Sequence, residues 1–161
     1  MIENSIFTLE NQEEIKTSYN DEMSDDDLRN MIANKSQPIH LLLEFGIFDR
    51  EDLNEKFPDS EMKEISYEGK KLLLIQNIQT DNLQIDEVLF VFRLLANSNF
   101  LVYIISGHKL DRILHYLQKD TLFKRNKVVG KMKLSLGKDE FLVMSDYDGS
   151  SVIIISKQLE H

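Results

Sequence analysis

Along residues 39–45 the apolar positions Ile39, Leu41, Leu43 and Phe45 fall on one side and His40 and Glu44 on the other, the two-residue period of a strand. Residues 86–97 break that rhythm. On a helical wheel Val88, Leu89, Phe90, Val91, Phe92, Leu94, Leu95 and Ala96 cover nearly the whole circumference and leave a stripe of Asp86, Arg93 and Asn97, so the pattern predicts a helix buried on most sides. Residues 100–105 form an unbroken apolar run, as expected of a central strand covered on both faces. Residues 62–67 and 70–78 read as a hairpin turning at Glu68 and Gly69, where glycine accepts a positive φ. Strand, helix and strand between 70 and 105 therefore predict a right-handed β-α-β crossover.

Polar punctuation places the remaining elements. Ser24 is positioned to cap a helix that opens with Asp25, Asp26 and Asp27, carries Leu28, Met31 and Ile32 at helical spacing, and ends before Pro38. Asp49 caps a short helix that runs to Phe57 and is stopped by Pro58. Residues 6–19 carry a weak helical pattern from Thr8, and residues 109–119 a stronger one with Leu110, Ile113, Leu114 and Leu117 on one side. The chain closes as a three-strand antiparallel meander over 127–136, 140–146 and 151–155, turning at Gly137-Lys138 and at Asp148-Gly149. In its first strand Met132, Leu134 and Leu136 alternate with Lys131, Lys133 and Ser135, which gives that strand a basic face. The expected fold class is α/β (α+β): a single mixed β-sheet with a β-α-β crossover, packed helices and the C-terminal meander. One domain is expected over 1–158, with 1–36 as a looser helical portion, and Leu159-Glu160-His161 resembles the scar of an expression tag.

At 161 residues and 42% hydrophobic composition, a single core can hold the chain without staples. Cysteine is absent, which removes disulfides, thiolate nucleophiles and thiolate zinc sites together and favours a reducing, cytoplasmic setting. The first ten residues hold acids and no base, so no secretory signal is expected. Apolar stretches such as 88–92 and 152–155 fall well short of the roughly 18 residues of a membrane span.

Charge sharpens the picture. The net charge of −9 is unevenly spread: residues 1–60 hold 15 acids and 5 bases, and residues 61–158 hold 12 acids and 14 bases. Acid peaks at Asp21, Glu22, Asp25, Asp26 and Asp27, while seven lysines and arginines crowd residues 119–138. Asp25 to Asp27 complement the dipole at the start of their helix. The same cluster offers an acidic face to a basic partner, or to the chain's own basic segment.

Chemical motifs are sparse. Six glycines scattered at 46, 69, 107, 130, 137 and 149 exclude a dinucleotide fingerprint and a P-loop. Ser106-Gly107-His108 joins a strand to a helix, the right place for an anion, but a single glycine there marks an ordinary turn. His108, Asp111 and His115 share the outer side of their helix without a fourth ligand to complete a metal set. His40 reads as a partly exposed packing residue, and Asp146, Asp148 and Gly149 as a hairpin turn rather than the opening of a calcium loop. No nucleophile and base pair up, so no catalytic residue, metal or cofactor is assigned. Pro58-Asp59 followed by Glu61-Met62-Lys63 or Glu68-Gly69-Lys70 resembles the PD-(D/E)xK nucleases over residues 49–105. That resemblance implies two carboxylates holding magnesium and a lysine that helps activate water.

The leading expectation is a non-catalytic, acidic protein-binding module of the bacterial cytoplasm, with a bacterial immunity-type inhibitor of a basic toxin as its concrete form. Asp21, Glu22, Asp25, Asp26 and Asp27 would supply its contacts to a basic protein surface, with neither nucleic acid nor membrane as partner and self-association left open. The alternatives are the metal-dependent nuclease and a structural or regulatory subunit that uses the basic strip on nucleic acid or another acidic surface. Phe123 is the one aromatic residue inside that strip, so stacking on single strands is not expected.

Overall fold

Residues 72–75 and 102–106 are buried whichever way their side chains point, which a strand achieves only inside a sheet covered on both faces. The computed structural model describes residues 7–9, 16–18, 25–33, 38–67, 70–98, 100–107, 132–134, 140–145 and 152–156. In chain order these form β1 (Phe7–Leu9), β2 (Lys16–Ser18), α1 (Asp25–Ala33), β3 (Ile39–Glu44), α2 (Arg50–Lys56), β4 (Glu61–Tyr67), β5 (Lys70–Ile78), α3 (Asn82–Asn97), β6 (Val102–Ser106), β7 (Met132–Leu134), β8 (Phe141–Ser145) and β9 (Val152–Ser156). The fold is α+β. Seven strands join in the order β2-β9-β8-β6-β3-β5-β4, and β1 pairs with β7 in a separate two-stranded sheet.

Every neighbouring pair in the large sheet is antiparallel. The parallel relation expected of the crossover exists between β5 and β6, but β3 lies between them and runs against both, so it never becomes a hydrogen-bonded parallel pair and the sheet is not mixed. Of the expected C-terminal meander, β8 and β9 form an antiparallel pair while β7 stands apart. Both edges of β8 are filled, by β6 and by β9, so β7 pairs in parallel with β1 instead. Residues 7–9 and 16–18, read from sequence as helical, are strand because distant β7 and β9 supply their hydrogen bonds.

Local chemistry explains the boundaries. Asp49 accepts from the Asp52 amide at 2.8 Å while the Asp52 carboxylate accepts from the Asp49 amide at 3.2 Å, a reciprocal cap that starts α2. Replacing it, Asp49→Ala, is expected to lower stability by about 1 kcal/mol, seen as a lower urea midpoint with an unchanged slope. β4 and β5 meet across Tyr67 and Lys70, as a two-residue turn requires. β4 is an edge strand, and exposed Glu61, Lys63 and Glu64 guard it against pairing with another chain.

All three described helices share one core with one face of the sheet. Leu28 and Ile32 of α1, Leu53 of α2, and Ile85, Val88, Phe92 and Leu95 of α3 pack with Leu41, Leu43, Leu73, Ile75, Val102, Ile104, Phe141 and Val143. The opposite face, with His40, Leu42, Leu74, Tyr103, Ile105, Leu142 and Met144, is equally buried. No helix among the described residues is long and apolar enough to cross a membrane.

Candidate functional site

α1 lies on α3 because Leu28 and Ile32, four residues apart, share its inward side. That contact turns Asp26 and Arg29 outward beside α3. The guanidinium of Arg29 bonds Asp26 Oδ1 at 3.0 Å and the Asp86 carboxylate of α3, so one arginine ties the acidic turn of α1 to its neighbour. Asp26 and Asp86 stay 82% and 52% exposed, which leaves lone pairs on both for an incoming donor. The Arg29 Nε is buried without a hydrogen-bond partner, so it is closed to a ligand. Alongside runs a groove of about 300 Å³ between the two helices, lined by Arg29, Asp86, Leu89, Phe90, Arg93, Leu94 and Asn97. Its volume suits a side chain or two rather than a large cofactor.

Phe90 dominates the outer edge of this groove. Half of it is exposed, yet it is held: its ring meets Phe48 edge-on at 6.2 Å, and Lys56 Nζ sits 4.8 Å from its centroid. Lys56 in turn pairs with Glu87 at 3.0 Å, and its carbonyl accepts from Gln84 Nε2 at 3.1 Å, which fixes the end of α2 against α3. The expected stripe of Asp86, Arg93 and Asn97 is present, but Phe90 lies on it rather than in the core. The apolar pattern hides this because hydrophobicity does not show which sector a neighbour covers, and it also starts the helix at Asp86 rather than Asn82. Asp81 is the cap, accepting from the Gln84 amide at 2.9 Å, and Asp81 with Gln84 three residues later was the available signal. The earlier start brings in Leu83, which is 78% exposed and shares the outward side with Phe90.

Of the five acidic residues singled out from sequence, Asp25, Asp26 and Asp27 form the first turn of α1. Asp21 and Glu22 lie outside the described residues, as do His108, Asp111, His115, Asp146, Asp148, Gly149, the predicted helix over 109–119 and most of the basic strip. The nuclease-like residues Asp59, Glu61 and Lys63 are exposed at the α2–β4 turn and along the edge strand, with Glu68 and Gly69 outside the described residues. Among the described residues no three His, Asp or Glu side chains converge to hold a metal.

A second polar cluster lies buried at the end of β6. His40 is 3% exposed, not partly exposed as its place on an alternating strand suggested. One ring nitrogen accepts from the Asn77 amide at 3.1 Å and the other donates to the Gly107 carbonyl at 2.9 Å, so both are spent on backbone. Ser106 Oγ accepts from the Phe141 amide at 2.9 Å, and the Glu140 side chain lies against Gly107. This is the place where Ser106-Gly107-His108 suggested an anion site. Burial raises the Tyr103 hydroxyl well above its usual titration range, so the phenol stays neutral nearby on the same face as His40. Geometrically the cluster is a strap across strand ends, with His40 reaching the Gly107 carbonyl.

No family model matches the chain, and neither a curated protein nor a solved structure matches it.

Proposed function

We propose that this protein is a non-catalytic binding module whose helical layer docks a partner with a basic surface. A bacterial immunity-type inhibitor of a basic toxin, acting in the cytoplasm, is the concrete form. One observation carries the reading: α1, α2 and α3 pack on the same face of the sheet, and with the caps Asp49 and Asp81 their sequences carry ten acids against four bases. Clustered carboxylates on a rigid layer speed encounter with a cationic surface and turn away anionic ones. Against a nuclease they can stand where substrate phosphates would lie, since arginine and lysine bond both groups in the same way.

The test is co-expression with the products of the genes flanking its own. A stable complex with a basic product is expected, weakening as salt rises and weakening tenfold or more when Asp25, Asp26 and Asp27 are changed to Asn. Absence of any basic partner, or an affinity indifferent both to salt and to those changes, overturns the reading.

A further inference from the structure

We propose that the groove between α1 and α3 binds a small apolar zwitterion of dipeptide size, its ammonium group on Asp86 and its carboxylate on Arg93 and Asn97. The site goes beyond the docking of a basic surface, because its ligand carries no net charge. Its floor is apolar, formed by Leu89, Phe90 and Leu94, and its volume of about 300 Å³ lies at the lower end of the range of small-molecule pockets. Phe90 is half exposed yet already held by Phe48 and Lys56, so seating a ligand on it orders little that was loose.

The charged groups decide what such a ligand must look like. Lys56 and Glu87 pair with each other and cancel, and neither lines the groove. At one end Arg29 is shared between Asp26 and Asp86, two carboxylates on one guanidinium, and the half-exposed Asp86 can accept a further donor. Toward the other end of the groove stand Arg93 and Asn97, one and two turns beyond Phe90 on the same helix. Arg93 is already engaged, but a guanidinium carries five donors, enough to bind a carboxylate as well. An acceptor at one end, donors at the other and hydrocarbon between them complement an ammonium, a carboxylate and apolar side chains on one molecule. A ligand of a single charge sign would leave one end unmatched. Along the helix axis the Cα atoms of Asp86 and Arg93 are about 10 Å apart. The charged ends of an extended dipeptide, roughly 6 Å apart by standard bond geometry, bridge that gap with a hydrogen bond at each end. Those of a single amino acid, roughly 2.5 Å apart, fall short.

The experiment follows the full chain by amide NMR while it is titrated with four ligands: leucyl-leucine, its N-acetyl form, its C-terminal amide, and seryl-serine. Leucyl-leucine is expected to bind saturably at millimolar concentration or below, at least tenfold tighter than each of the other three, and to shift the side-chain amide of Asn97. That comparison needs no substitution, so it decides the proposal even where a variant fails to fold. In variants shown by circular dichroism to be folded, the two preferences should separate. Asp86→Asn should bring the free and acetylated dipeptides to equal affinity while keeping the preference for acid over amide, and Arg93→Gln should do the reverse. If both preferences survive either substitution, the assignment of the two ends falls. Absence of saturable binding, equal affinity for blocked and free forms, or shifts confined to residues outside the groove overturns the proposal. None of these outcomes touches the reading as a binder of basic surfaces, which the flanking-gene test decides.

Discussion

Gly107→Ala is expected to destabilise the fold by about 3–5 kcal/mol, combining a strained backbone with an overpacked site. Gly107 ends β6 at φ +137°, a backbone conformation that side-chain-bearing residues rarely adopt. A Cβ built there would overlap the Glu140 carboxylate, and Glu140, only 8% exposed, has little room to withdraw. Yielding on the glycine side is no easier: the Gly107 amide donates to the Pro38 carbonyl at 3.0 Å and its own carbonyl accepts from His40. Thermal denaturation should show a Tm lower by roughly 10 °C for a chain of this size. The two causes separate in a double-mutant cycle, because Glu140→Ala removes the overlap but not the backbone strain. Gly107→Ala should therefore cost less in the Glu140→Ala background. Equal costs in the two backgrounds would show that the carboxylate is not in the way, and a total below about 1 kcal/mol would show that the turn tolerates a side chain.

What the chain disclosed in advance divides along a physical line. Features written in short-range chemistry were legible. Asp49 and Pro58 bracketed α2, Glu68 and Gly69 set the β4–β5 hairpin, and the unbroken apolar run near Val102 announced a strand buried on both faces. The crossover through α3 was legible as well, because strand, helix and strand succeed one another within one stretch of chain. Pairings between distant segments were not. Nothing within residues 7–9 says that they will lie beside β7, and the alternation of Met132 with Lys133 fits one partner as well as another. The choice is made by which edges other strands have already taken.

The site shows the same division. Acid at the start of α1 was visible, yet its geometric meaning came only with Arg29 bridging to Asp86, 57 residues along the chain. Phe90 was assigned to the core because a wheel records hydrophobicity and not which sector another element covers. Among the described residues α1 and α2 flank the outward stripe of α3 and leave Phe90 half exposed. His40 was misjudged for a related reason. A single polar residue on an alternating strand reads as solvent-facing, unless a bulge in the neighbouring strand turns a backbone amide toward it.

That bulge sets up the second large effect. In the β3–β5 ladder Ile39 pairs with Ile78 and Leu41 with Ile75, so Gln76 and Asn77 oppose His40 alone. Asn77 carries a positive φ of 56°, a conformation asparagine tolerates better than most residues. Its amide is lost to the regular ladder, and the His40 ring accepts it. Because that ring nitrogen accepts, the other must carry the proton donated to the Gly107 carbonyl, so the neutral Nε2–H tautomer is fixed by the fold. Nitrogen NMR of the imidazole near neutral pH should show that tautomer. His40→Leu keeps comparable apolar bulk but strips both bonds, leaving the buried Gly107 carbonyl and the Asn77 amide without the imidazole; a loss of about 2–4 kcal/mol is expected. Hydrogen exchange locates the cause, since the Asn77 amide should lose protection by more than its neighbours in β5. Asn77→Gly, which eases the positive φ and keeps the amide, should leave stability within about 1 kcal/mol of the unaltered chain. If His40→Leu proves nearly neutral, the ring is filling space and the bulge holds itself. If it is costly while Asn77 stays protected, the Gly107 carbonyl is the partner that matters, and the strap fastens β3 to β6 rather than to β5.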